Sequence, residues 1–241
     1  VIQGAAFSNT NGSTWTGQVN FPGASGFDKN LSAVDDVTGS TYFGRAYTVW
    51  TNFGGTFFNR IVISFTTDGG TTWSTAAPVS PPQSPGHHHQ GCDVRVGPGG
   101  VVHVVWANCT TNGQNSTEDS LGYARSTDGG VTWVFASNHV ADMNGIRTSN
   151  LVNGIRCNGF PRLDIDKTGG PRNGWLYVVA AEKNFAPALD NSDVVLMRST
   201  NNGATWTRTR VNQDPSGKLN YMPAVRVDDC GGVNVVYYDQ R

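Results

Sequence analysis

The chain has 241 residues, 37% hydrophobic and 15% charged, which is enough apolar material for a substantial core and too much for general disorder. A formal charge of −1 with no block of like charges argues against the concentrated basic surface that a nucleic acid or an anionic membrane requires. The longest apolar runs, such as Leu176–Ala181, fall far short of the ~20 residues of a membrane-spanning helix, so no membrane insertion is expected. Four cysteines, little Lys and abundant Gly, Thr and Asn point to a secreted or cell-surface protein. Beginning at Val1 and stopping in mid-pattern at Arg241, the chain is expected to be a processed or excised piece.

In chain order, residues 1–20 read as the outer half of a repeating unit around the octapeptide Ser8–Trp15. Residues 28–80 form a whole unit: a strand pair through "NLSAVDD" and "AYTVWTN", a third strand "RIVISF", the octapeptide Thr66–Trp73, and a return strand. Residues 90–140 repeat this with "CDVRVGPGGVVHVVWAN", "LGYARS" and Ser126–Trp133, and residues 157–212 with "FPRLDID", "WLYVVAAE", "DVVLMRS" and Ser199–Trp206. Residues 220–241, with "MPAVRVDDCGGVNVVYYD", supply the inner half of another unit.

The octapeptide has the pattern Ser/Thr-x-Asp-x-Gly-x-Thr-Trp, with Asn201 for the Asp in the last copy and Thr10 in the first. Successive tryptophans, Trp15, Trp73, Trp133 and Trp206, are 58, 60 and 73 residues apart, the period of a repeated supersecondary unit. A carboxylate or amide accepts bonds from turn amides, Gly takes a positive φ, and Thr-Trp opens the return strand with an apolar anchor. Asp68, Asp128 and Asn201 are therefore expected to hold turns rather than to catalyse, with Trp73, Trp133 and Trp206 as anchors. Units of four antiparallel strands at this period form the blades of an all-β propeller.

Together with "DKNLSAVD", "FPRLDID" and "VVYYDQR", these octapeptides resemble the Asp-box (BNR) repeats of secreted bacterial proteins of the sialidase superfamily, and the resemblance covers essentially the whole chain. It implies part of a six-bladed ring, the alternative being that the two half units pair and close a four-bladed ring. It also implies a glycan-active protein, either a glycoside hydrolase acting on extracellular glycans or a non-catalytic propeller that binds glycan or protein.

In such a blade the octapeptides and the Gly-rich turns share one face of the disc. The long connections, at 51–59, 80–91, 107–119, 134–159 and 182–192, lie on the other, where binding residues gather. Aligning the second strands puts Asn52, Asn108, Glu182 and Asp239 in one column at the channel mouth. Glycoside hydrolysis needs a proton donor and a nucleophile or base, and Glu182 and Asp239 are the candidates. Asn52, Asn108, Lys29, Arg156, Lys183, Tyr221 and Arg241 are the candidate substrate-binding residues, with Asp28, His88, His89 and Asn158 beside them. Sialidases hold the substrate carboxylate with three arginines, the first in a Phe/Tyr-Arg-Ile-Pro motif. That motif is missing here, and the Arg in "FPRLDID" occupies a strand start, so the triad is not carried over.

"GHHHQGCD" at 86–93 has no matching Cys or His spacing elsewhere and reads as a polar loop, so no metal ligands are assigned. No cofactor is expected apart from the option of Ca²⁺ near "LDNSD" at 189–193. Cys92 begins a first strand and Cys109 ends its hairpin partner, so a disulfide between them is expected, while Cys157 and Cys230 fall at opposite ends of their strands.

Overall fold

The computed structural model describes residues 3–17, 19–21, 26–110, 117–147 and 154–240. Apart from two single-turn 3-10 segments, every regular element among them is a β-strand. A two-stranded sheet, β1 (Gly4–Ala5) with β2 (Val19–Asn20), comes first. Three four-stranded antiparallel sheets follow. The first is β3 (Phe27–Val34), β4 (Ala46–Asn52), β5 (Arg60–Thr66) and β6 (Ala77–Pro78). The second is β7 (His88–Gly97), β8 (Val101–Cys109), β9 (Glu118–Ser126) and β10 (Phe135–Asp142). The third is β11 (Arg162–Ile165), β12 (Leu176–Glu182), β13 (Asp193–Ser199) and β14 (Thr207–Arg210). The pair β15 (Asn220–Val227) and β16 (Val233–Asp239) ends the series.

Adjacent sheets bury facing surfaces against each other, which explains why the central strands of the four-stranded sheets read as nearly continuous apolar runs. Tyr47, Val49, Ile61 and Ile63 of the first four-stranded sheet share a cluster with Val94, Val104 and Trp106 of the second. Val105, Leu121 and Tyr123 meet Leu163, Leu176, Val178 and Met197 of the third. Tyr177, Val179 and Val194 meet Val225 and Val235 of the last pair. At the start of the series Phe21 packs on Trp50 and Val62. Trp50 and Trp106 are fully buried, and truncating such a side chain typically costs about 3–5 kcal/mol.

All four octapeptides make one hydrogen-bond pattern. The first hydroxyl, of Ser8, Thr66, Ser126 or Ser199, accepts the N–H of the glycine four residues on, at 2.9–3.0 Å. Those glycines, Gly12, Gly70, Gly130 and Gly203, all lie at positive φ, from 82° to 97°. The third residue accepts the N–H of the following Thr: Asp68 from Thr72 at 2.9 Å, Asp128 from Thr132 at 2.8 Å, Asn201 from Thr205 at 2.9 Å, and Thr10 Oγ1 from Thr14 at 2.8 Å. The turn needs an oxygen acceptor there, and Asp, Asn and Thr each supply one. In the last three copies the turn links the third strand of a sheet to its fourth. Trp73 packs edge-on against Phe21 at 4.8 Å and Trp206 against Tyr123 at 5.7 Å; Trp133 packs against the first inter-sheet cluster, and Trp15 is exposed.

The expected Cys92–Cys109 disulfide is corrected by the register. Cys109 pairs with His88, and a bulge between Gln90 and Asp93 shifts Cys92 further along β7. Cys92 then packs among Tyr47 and Val49 on one side of the sheet, while Cys109 packs with Ala107 and Phe160 on the other. Side chains on opposite faces cannot approach to disulfide distance, and all four cysteines are free. Burial pushes the Cys109 thiol up to about 12.

Candidate functional site

Three innermost strands carry a bulge near their first residues, at the end where the long connections lie. The register slips between Asp28 and Leu31 in β3, between Gln90 and Asp93 in β7, and between Tyr221 and Ala224 in β15. Each bulge contains a left-handed residue: Lys29 at φ 55°, Gly91 at 67° and Met222 at 52°. Bulges re-aim side chains, and left-handed backbone at a non-glycine residue is strain that clusters at functional sites. Here Lys29 Nζ comes to lie 5.7 Å from the centre of the Phe160 ring. A Cβ on Gly91 would fall 2.1 Å from Phe160 Cγ, so that position requires glycine for its contact as well as its φ.

Around the Phe160 ring, Lys29, Gln90, Arg147, Arg156 and Asn158 line a tight pocket. Its enclosed volume is about 10 Å³, room for a water-sized group with the rest of any ligand outside. The Arg147 guanidinium donates to Gln90 Oε1 and, at 3.1 Å, to His88 Nε2, and lies 5.8 Å from the Phe160 ring centre. Because Arg can only donate, His88 must accept through an unprotonated Nε2. Gln90 in turn donates to Asp28 Oδ2. Three cations thus converge on a pocket whose polar linkers are an amide and an imidazole, an arrangement that attracts an anionic group.

Of the predicted residues, the structure brings together Lys29, Arg156 and Asn158 in the pocket, with Asp28 and His88 in the hydrogen-bond network behind it. The four column residues do end β4, β8, β12 and β16, but their side chains engage locally. Asn52 donates to the Gly54 carbonyl and Asn108 to Ser120 Oγ at 3.2 Å. Glu182 is fully buried, pairs with Arg208 and accepts the Asn144 N–H at 3.1 Å. Burial raises its pKa, partly offset by Arg208. Asp239 pairs in register with Asn220 and is half-buried. Tyr221 is buried against Ile146 and Cys157 and stacks on Tyr238 at 5.7 Å. Lys183 gives its N–H to the Asn144 carbonyl. Arg241 lies outside the described residues. His89 bonds Ser80 Oγ at 2.7 Å, and Asp193 faces Arg210 and Asn212. Among the described residues no three His, Cys, Asp or Glu side chains are placed to hold a metal.

Sequence reasoning missed Gln90, Arg147 and Glu118. Gln90 precedes the bulge glycine, a usable signal. Arg147 sits in the long connection 134–159 with nothing local to mark it. Glu118, in "STEDS", looks like a solvated loop residue yet is fully buried. Burial raises its pKa, offset in part by the N–H groups of Gly159 and Arg147.

A larger cavity, about 690 Å³, runs along β3, β7, β11 and β15 toward the face of short turns. It has no surplus of positive charge: Asp36, Asp164, Asp228 and Asp229 line it beside Arg95, Lys167 and Arg226, with Lys167 paired to Asp36 at 2.7 Å and Arg95 to Asp93 at 2.8 Å and Asp164 at 3.7 Å. Size alone therefore does not make it the site, whereas in the small pocket the Arg147 guanidinium is held by Gln90 and His88, with Lys29 and Arg156 beside it.

The sequence matches no protein-family model and no curated protein. Solved structures do match. An α-L-arabinofuranosidase from Fusarium graminearum aligns over 100% of this chain and 67% of its own, at 15% identity and TM-score 0.59. A leech intramolecular trans-sialidase aligns over 98% and 33%, at 11% and 0.59. A protein of unknown function from Dyadobacter fermentans aligns over 89% and 62%, at 13% and 0.56. The chain thus spans between about a third and two thirds of these relatives. At such identities the likeness carries the fold alone, and it is the propeller-like fold of sialidases and related glycoside hydrolases.

Proposed function

We propose that the chain is part of a secreted, sialidase-like glycan-active propeller whose pocket at the channel mouth takes the anionic group of an acidic sugar. The observation that carries this reading is Arg147, held by Gln90 and His88 beside Lys29 and Arg156. A carboxylate in front of the Phe160 ring would meet charge-assisted donors that water would otherwise screen. The ring reading that goes with it is an incomplete six-bladed propeller. It is supported by the exposed face of the last strand pair, where Val236 and Tyr238 are 69% and 63% accessible and a closed four-bladed ring would cover them.

In the hydrolase form of this reading Glu182 and Asp239 supply the proton donor and the nucleophile or base. A second reading, a non-catalytic propeller that binds glycan, is favoured by the burial of Glu182 in its pair with Arg208. Glycan-array binding and aryl-glycoside turnover of the wild type and three variants separate these. Arg147→Ala is expected to weaken binding of sialylated glycans tenfold or more. Turnover that disappears in Glu182→Gln and Asp239→Asn supports hydrolysis. Binding without turnover supports the second reading, and a wild type that binds no acidic glycan ends both.

A further inference from the structure

We infer that Glu118 is a positioning residue for the anion pocket: its buried carboxylate clamps together two segments of the long connection between β10 and β11, one carrying Arg147 and the other Arg156. This rests on the reading of the pocket as an acidic-sugar site. Glu118 opens β9, and its Oε2 accepts the Arg147 N–H at 3.1 Å while its Oε1 accepts the Gly159 N–H at 3.0 Å. One side chain thereby sets the spacing between segment 143–147 and segment 154–160. The first brings Arg147 to the pocket; the second brings Arg156, Asn158 and Phe160.

The packing leaves the clamp no slack. A Cβ on Gly145 would lie 2.1 Å from Glu118 Oε2, and one on Gly159 would lie 2.6 Å from the Ala181 carbonyl oxygen. Backbone bonds from Gly145 N–H to the Glu118 carbonyl and from Lys183 N–H to the Asn144 carbonyl seat the same segment.

The division of labour at Arg147 is what ties the clamp to function. Both Glu118 oxygens are occupied by backbone amides, while the Arg147 guanidinium turns to Gln90 and His88. Glu118 therefore holds the arginine by its main chain and leaves the fork of donors to face a ligand. Only a carboxylate offers two acceptors of this kind; an amide offers one, and its NH₂ group would oppose the other N–H.

The test is the affinity of Glu118→Gln for 3′-sialyllactose, measured by calorimetry well below the thermal midpoint of the variant, beside that midpoint. The expected result is a loss of affinity between about tenfold and a hundredfold, as displaced binding groups give. Wild-type affinity in a folded variant overturns the inference, because a purely structural role would move the midpoint alone. A wild type that does not bind the probe removes the acidic-sugar reading and the inference with it.

Should Glu118→Gln fail to fold, the pH profile of an Asp28→Asn, His88→Gln protein replaces it, since these substitutions silence the carboxylate bonded to Gln90 and the imidazole that accepts from Arg147. The other ionisable groups near Glu118 are Cys109, whose thiol burial keeps protonated, Asp119 beside it on β9, and Arg147, whose imidazole partner His88 the second substitution removes. Affinity is expected to fall on acidification as Glu118 takes up a proton, and a flat profile from about pH 8 to 4.5 overturns the clamp.

Discussion

Glu182 shows how a residue's role depends on what its neighbours do. As a polar strand end next to three others it looks like part of a ring at the channel mouth. In the structure its Oε2 is shared by Arg208 on the outermost strand and by the Asn144 N–H. Glu182→Gln keeps an acceptor for Asn144 but removes the charge that balances Arg208. The expected loss is about 2 kcal/mol of stability, read from urea unfolding at pH 7. An unchanged midpoint would show that the pair contributes nothing net. Lys29 and Arg156 were legible because strand starts could be located. Gln90 and Arg147 were not, because their convergence is set by a bulge and by a long connection without local pattern.

At the scale of the element, the octapeptide turn is a local device and was readable as one. The Thr72 hydroxyl and N–H, followed by Thr66, hold the Asp68 carboxyl at about 2, so this turn keeps its acceptor ionised throughout the neutral range. Asn201 makes the equivalent bonds without a charge. Asp128→Asn is therefore expected to be nearly silent. Asp128→Ala, which removes the acceptor for Val131, Thr132 and Ser126, should lower the thermal midpoint by about 2–4 °C, the shift of roughly 1 kcal/mol in a chain of this size. Equal midpoints for the two variants would refute the acceptor argument. The strand-start bulges belong to the same scale and were not read, since only Gly91 among their left-handed residues is a glycine.

In the molecule as a whole, stability resides in the layers between sheets, and these contain buried titratable groups. His103 is buried, with Nδ1 2.8 Å from the Tyr123 hydroxyl, which itself donates to the Asn202 carbonyl in the next sheet's turn. Burial, and then the charge of Arg125, holds its pKa down at about 3. The folded state keeps the ring neutral while the unfolded chain takes up a proton below about 6.5. This stabilisation is thus complete above pH 6.5 and is lost as pH falls from there toward 3, by about 2 kcal/mol at pH 5. Glu118 and Glu182, whose pKa values are raised, act in the opposite direction, so the effect must be read as a difference. Between pH 7 and 5 the wild type should lose about 2 kcal/mol more than His103→Gln in urea unfolding. Parallel losses would place the sensitivity elsewhere.

By itself the sequence determined the all-β class, the four-stranded units and the octapeptide turns, because each depends on contacts within a few residues and on a period of two along strands. Tertiary structure alone decided which strand-end residues meet. Cys92 and Cys109 look like partners in a hairpin, yet one bulge sends them to opposite faces of the sheet. Glu118 looks solvated, yet its carboxylate is buried against two segments of the long connection it holds. Local hydrogen bonding is encoded where it forms, whereas a pocket built from two strand starts and a long connection depends on registers and loop paths that no short stretch of chain contains.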